Sequence, residues 1–349
     1  MKKSKEHIIP NWLINLVNPE IKALPFFPFL NRETGNYEEK AIPWAAIAFP
    51  ACEECNLYYG RLEDHAKGII EALLSGEDVL IGVEPLTTLF DWLSKMRMGM
   101  WFAYMYYLEL PLEEGSNAAI GKRMHMHDRL AVIYKLRTDL KGIHFTGPGI
   151  PAFQALPTIF GMRINDYYFV NMATVSLVSK NLGFPYVKRI KLGENAEPEI
   201  IRGSEKVSPP ILEHLHGDII DHSIKLYQPM YGMENDLFPE AYVSDYIKDN
   251  SMFDGVGKIY IDNNQSVERL EKGPDYPLPV TVIEDNIWEF FQNMFIEILG
   301  LYIQDLNNLI SMTEFTEVSQ GAKLFLEASL GQTENYHYWA QTNKLDTPQ

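Results

Sequence analysis

A Glu6-His7 pair runs straight into Ile8-Ile9-Pro10, and Cys52-Glu-Glu-Cys55-Asn56 stands at the head of a long run with helical periodicity. Proline has no amide to give a ladder, so an extended segment carrying Glu6 and His7 has to stop at Pro10. Leu62, Ala66, Ile69, Ile70 and Leu73 recur at helical spacing, and Ser75-Gly76 closes the run. The cysteine knuckle therefore opens a helix that reaches Leu74. Between these two elements, Pro19, Pro25, Pro28 and Pro43 keep regular structure short, and Asn31-Arg-Glu-Thr-Gly-Asn36 reads as a turn between two short strands.

The rest of the chain alternates in character. Pro85 to about Leu110 is expected to be a helix, with Leu86, Leu89, Phe90, Leu93, Met96, Met100, Tyr104 and Tyr107 on one core-facing stripe. Residues 117–141 read as a third helix, with Ile120, Leu130, Val132, Ile133 and Leu136 apolar. His144 to Pro151 reads as a loop. Tyr167–Leu177 and Tyr186–Lys191 are strand-like, Lys258–Ile261 and Val280–Val282 read as short strands, and Asn286–Leu309 as an apolar helix. Thr333 to Gln349 is polar and is expected to fray. No repeat or low-complexity tract interrupts the chain.

Length and composition narrow the class. The 349 residues can bury a full core and leave room for two domains, and 46% hydrophobic with 12% aromatic residues argues against disorder. The most apolar stretch, near Met96–Tyr107, is broken by Lys95 and Arg97, so no membrane span is expected. The N-terminal lysines lack an apolar region behind them, and both cysteines share one Cys-x-x-Cys. A reducing cytoplasm is expected, with metal or redox use of the thiols. The net charge of −17 opposes nucleic-acid binding unless charge is segregated. Lys2, Lys3, Lys5, Arg61 and Lys67 could form a basic strip extended by Lys95, Arg97, Lys122, Arg123 and Arg129.

Glu6-His7-Ile-Ile-Pro10-x-Trp12-Leu13, then Cys52-x-x-Cys55-Asn56 and Arg61-Leu62-Glu63, resembles the HNH (ββα-metal) endonuclease superfamily. The phrasing is that of a bacterial subgroup whose helix after the knuckle carries a Leu-Glu pair. The match spans residues 4–75, and the helical segment Leu86–Tyr107 is similar to the apolar helices that follow the site in that subgroup. The resemblance implies that His7 is the general base, taking a proton from the attacking water. It implies that Glu6 and Asn56 hold one divalent ion, Mg²⁺ or Mn²⁺, whose preference for oxygen ligands they suit. Neighbours on a strand face opposite ways, so Glu6 or His7 must twist to address the same phosphate. Glu63, two helical turns beyond Asn56, is a candidate third contributor, and a solvated residue favoured by the helix dipole fits it equally. Lys3, Lys5 and Arg61 are candidate phosphate contacts.

This sequence departs from the subgroup in two ways. A second Cys-x-x-Cys usually precedes the Glu-His, and here the residues before Glu6 hold none; a start site further upstream would account for that. Cys52 and Cys55 are the candidate structural Zn²⁺ ligands, but two thiolates cannot complete a tetrahedral site. The structural Asn-Leu expected before the knuckle is also replaced, by Ala45-Ala-Ile-Ala-Phe49.

Two other clusters compete. His214-Leu-His-Gly-Asp-Ile-Ile-Asp-His222 partly matches the His-x-His-x-Asp of metallo-β-lactamase-like zinc hydrolases, but Ile219 stands where a second His should follow. Met124-His-Met-His-Asp128 reads as an exposed helix face. No P-loop, dinucleotide fingerprint or nucleophile elbow is present.

The expectation is an α+β protein: a small N-terminal ββα-metal (HNH-like) module over residues 1–75, and a larger mixed, helix-rich domain over 76–349 with a sub-boundary near 142. The expected activity is metal-dependent hydrolysis of phosphodiester bonds in DNA, or in RNA. A homo-oligomer or a partner protein remains open. The alternatives are a non-enzymatic binding or scaffold protein with a degenerate HNH site, and a zinc hydrolase centred on His214–His222.

Overall fold

The first strand, β1 (Lys3–His7), stops short of Pro10, and the Pro10 carbonyl accepts the amides of Leu13 and Ile14 to start α1 (Asn11–Val17). The computed structural model describes residues 3–17, 23–30, 37–76, 78–107, 128–174, 186–192, 198–201, 219–220, 222–228, 259–263, 266–284, 286–315 and 319–343. β2 (Ala23–Leu30) and β3 (Tyr37–Pro43) pair antiparallel around the expected turn at 31–36, which lies outside the described residues. After a 3₁₀ turn at Trp44–Ala46, β4 (Ala48–Cys52) lies antiparallel to β1, with Glu6 opposite Phe49 and His7 opposite Ala48. α2 (Glu53–Ser75) follows directly, so a two-stranded ladder leads into a helix at the cysteine knuckle. Gly76, at φ 79°, ends α2 and returns its amide to the Leu73 carbonyl at 3.0 Å.

β5 (Leu80–Ile81) leads into α3 (Val83–Tyr107), the spine of the molecule. The sequence suggested one apolar stripe, yet every residue from Leu86 to Met100 is buried. A helix buried all round needs neighbours on all sides. On one side the rings of Trp92 and Trp12 lie 6.1 Å apart, those of Phe102 and Phe49 5.6 Å apart, and Gly99 admits Ile8 so closely that a Cβ would sit 2.6 Å from Ile8 Cδ1. On the other side is the large sheet.

That sheet has eight strands. β7 (Ile143–Thr146), β8 (Ile159–Ile164), β9 (Tyr167–Thr174) and β6 (Asp128–Leu136) form antiparallel neighbours, and α4 (Pro151–Ala155) links β7 to β8. β12 (Lys225–Gln228), β13 (Tyr260–Asp262) and β14 (Val267–Arg269) continue it beyond the first half of β6. β16 (Thr281–Ile283) pairs parallel with the second half. Arg129 reaches from β6 to Asp91 of α3, whereas Tyr134 and Tyr168 lie against Phe290 of α5 (Ile287–Met312) on the opposite face. The sheet is thus covered by a helix on each side. α6 (Gln320–Thr342) packs on α5. β10 (Tyr186–Leu192) joins β11 (Pro198–Ile201) and β17 (Thr313–Phe315) in a small sheet, and β15 (Tyr276–Pro277) pairs with β5. The fold is mixed α+β, and no helix among the described residues is long and apolar enough to cross a membrane.

Three sequence expectations are corrected. Residues 128–136 form strand β6, not the end of a helix. Both of its faces are covered, so polar alternation is erased and the run reads as helix or strand alike. His144–Thr146 belong to β7, and the loop starts at Gly147, whose φ of 126° suits glycine. Thr333–Thr342 lie within α6 rather than in a frayed tail. The expected strands near 258–261 and 280–282 occur as β13 and β16.

Candidate functional site

Alternation along β1 sorts its side chains. Glu6 turns inward and is 3% exposed, while Lys5 and His7 face solvent. β1 ends at His7, and the chain bends through Ile8 and Ile9, with the Ile8 amide bonded to the Ile47 carbonyl at 3.0 Å. Helix α2 brings Asn56 and Glu63 to the inward side. Oriented to satisfy its neighbours, the Asn56 amide donates to Glu6 Oε2 at 2.5 Å and to the Lys5 carbonyl at 3.3 Å, and its oxygen accepts from Ser4 Oγ at 3.2 Å.

The centre of this cluster is a residue the sequence placed elsewhere. Lys95 of α3, 1% exposed, sends its ammonium between the two carboxylates: it bonds Glu6 Oε1 at 2.6 Å, Glu63 Oε1, and the His7 carbonyl at 3.0 Å. Tyr59 of α2 lies with its ring centroid 5.9 Å from Nζ. Burial alone would lower the proton affinity of Lys95, but the charges and hydrogen bonds of Glu63 and Glu6 outweigh it and hold the ammonium above the usual lysine range. Burial pushes the Glu6 carboxyl upward, and Lys95 works against that push.

Glu6, Asn56 and Glu63 are therefore brought together, as the resemblance implied, but the twist expected between Glu6 and His7 is absent: Glu6 is buried, and His7 joins the cluster through its carbonyl with its imidazole on the opposite, solvent side. Arg61 is exposed on α2. Lys3 pairs with Cys52 across the β1–β4 ladder, and its side chain lies outside the described residues, as does that of Cys55. The suggested zinc pair is thus only half described. Among the described residues no group of three or more His, Cys, Asp and Glu side chains converges to hold a metal. The oxygen donors of Glu6, Glu63 and Asn56 are of the type a hard divalent ion takes, and the seat between the carboxylates is filled by the Lys95 ammonium.

The basic strip proposed through α3 and β6 is corrected. Lys95, Arg97 and Arg129 are each buried to within 1% of full burial. Arg97 Nη1 donates to the Thr158 carbonyl at 3.0 Å, and Arg129 binds Asp91 and the Gln228 side chain. None of the three reaches a phosphate. The usable signal was the setting: cations inside an otherwise apolar helix or strand must be buried with partners.

Of the rival cluster, His214 to Asp218 and Asp221 lie outside the described residues, and His222 is exposed. The amides of Ile219 and Ile220 both bind the Glu297 carboxylate, at 2.6 and 3.1 Å, which anchors that segment to α5. His125, His127, Lys122 and Arg123 also lie outside the described residues. Comparison with known proteins returned no matching family model, no matching curated protein and no matching solved structure.

Proposed function

We propose that the chain is a phosphodiester hydrolase of the HNH type, acting on DNA or on RNA, with the β1–β4 ladder and α2 as its catalytic module. The observation that carries the proposal is the convergence of Glu6, Asn56 and Glu63, from a strand and the following helix, beside the backbone of His7. His7 is the base: its imidazole takes a proton from water as the water oxygen bonds to phosphorus, the bond to the leaving oxygen breaks, and that oxygen takes a proton from solvent. The residues that would hold a Mg²⁺ or Mn²⁺ ion are Glu6, Asn56 and Glu63, and a bound ion supplies positive charge to the phosphate and leaving oxygens. Lys3, Lys5 and Arg61 orient the phosphate backbone. In keeping with this, Lys5 and His7 share the solvent side of β1.

Plasmid cleavage in Mg²⁺ or Mn²⁺ tests it. Wild type and His214→Ala are expected to cut, and His7→Ala to lose about 10²–10⁴-fold in rate. Loss on His214→Ala alone would move the chemistry to the rival cluster. One observation favours a second reading, a non-enzymatic binding protein with a degenerate site: Lys95 fills the seat between the carboxylates. Absence of cleavage by any form, with retained binding in a gel shift, supports that reading instead.

A further inference from the structure

We propose that Lys95 is the resident cation of the candidate site, and that a divalent ion gains Glu6 and Glu63 only by displacing its ammonium. The inference rests on the ligand assignment within the nuclease reading, not on cleavage. An ammonium has three protons to donate, and here each has an acceptor: Glu6 Oε1, Glu63 Oε1 and the His7 carbonyl. The other oxygen of Glu6 is engaged by the Asn56 amide, which turns its N–H rather than its carbonyl oxygen toward that carboxylate. Both oxygens of Glu6 are therefore occupied, and a second cation beside a buried ammonium meets like-charge repulsion that solvent cannot screen.

Displacement has a structural consequence. Lys95 bonds the backbone of His7, so withdrawal of the ammonium releases the residue that carries the imidazole. Ion binding and freedom of the base are coupled through one side chain. In the resting protein the Lys95 ammonium holds Glu6 and Glu63, and an ion takes these carboxylates only as that ammonium withdraws.

Titration of the full chain with Mn²⁺, read by the electron paramagnetic resonance signal of the free ion, tests this. Lys95→Met is expected to take up one Mn²⁺ at least tenfold more tightly than wild type. Lys95→Arg, which keeps a cation, should bind no more tightly than wild type. The Glu6→Gln/Lys95→Met double variant should lose the gain. Equal or weaker binding by Lys95→Met, or a gain that survives Glu6→Gln, overturns the proposal. If Lys95→Met does not fold by near-ultraviolet circular dichroism, Lys95→Gln takes its place and is held to the same outcomes. Mn²⁺ uptake by Lys95→Met with no cleavage by any variant removes the nuclease reading and leaves this inference standing.

Discussion

Lys95 is the residue on which the site's stability turns. With its side chain replaced by methionine, Glu6 and Glu63 face each other without a counter-charge, Glu6 in full burial. Breaking a buried ion pair by removing one partner is costly because the other charge is left uncompensated. Lys95→Met is therefore expected to lose about 3–5 kcal/mol in urea denaturation, and added Mn²⁺ to restore part of the loss. A second buried carboxyl acts through pH. Burial raises Asp305 to about 6, against the opposing effects of Thr158 and Arg97. The folded form thus keeps a proton that the unfolded chain releases near pH 4. This contribution to stability is full below the unfolded value, and it is lost as pH rises from about 4 to about 6. The difference in melting temperature between wild type and Asp305→Asn is expected to move against wild type across that window and to stay level above it. A difference independent of pH contradicts the assignment.

At the scale of elements, α3 holds the site to the sheet, and Gly99 sets how near it comes. An added methyl there meets Ile8 Cδ1 at 2.6 Å and Ile8 Cγ2 at 3.2 Å, inside a core where Ile8 is wholly buried. Gly99→Ala is expected to cost about 1–3 kcal/mol by overpacking, and to shift the amide resonances of His7 and Ile8 more than those of the β13–β14 hairpin. Much of this scaffold could be read from sequence. Helical spacing gave α2 and α3, a strongly apolar run gave α5, and Ser75-Gly76 marked the end of α2, because those signals are local. β6 was not readable: Leu130, Val132, Tyr134 and Leu136 face one helix while Arg129, Ala131 and Ile133 face another, and a run apolar on both faces has no diagnostic period. α6 was missed for another reason. Its most buried residues are Ser329, Thr333 and Ala340, with the hydroxyls of Ser329 and Thr333 bonded to carbonyls one turn back, and Leu326 and Leu330 pack partly buried against the core, so polar residues interrupt the apolar stripe. The trio Glu6, Asn56 and Glu63 was visible because each lies in a short motif. Lys95 comes from a separate helix, and only the tertiary fold brings it in.

Over the whole molecule, the net charge of −17 limits how nucleic acid can be held. With Lys95, Arg97 and Arg129 committed to the interior, the proposed phosphate contacts are Lys3 and Lys5 of β1 and Arg61 of α2. Each neutralised phosphate contributes to the salt dependence of binding. The logarithm of DNA affinity is therefore expected to fall against the logarithm of salt with a slope of about −3 in fluorescence anisotropy. A slope of about −6 or steeper points to a basic surface beyond these three residues. The central claim, that His7 is a base working beside the Glu6–Asn56–Glu63 cluster, is tested most directly by chemical rescue. DNA cleavage by His7→Ala is measured with and without added imidazole. Recovery of cleavage that rises with imidazole concentration, and that is absent in Glu6→Gln/His7→Ala, is the expected result. Cleavage by His7→Ala equal to wild type without imidazole contradicts the claim.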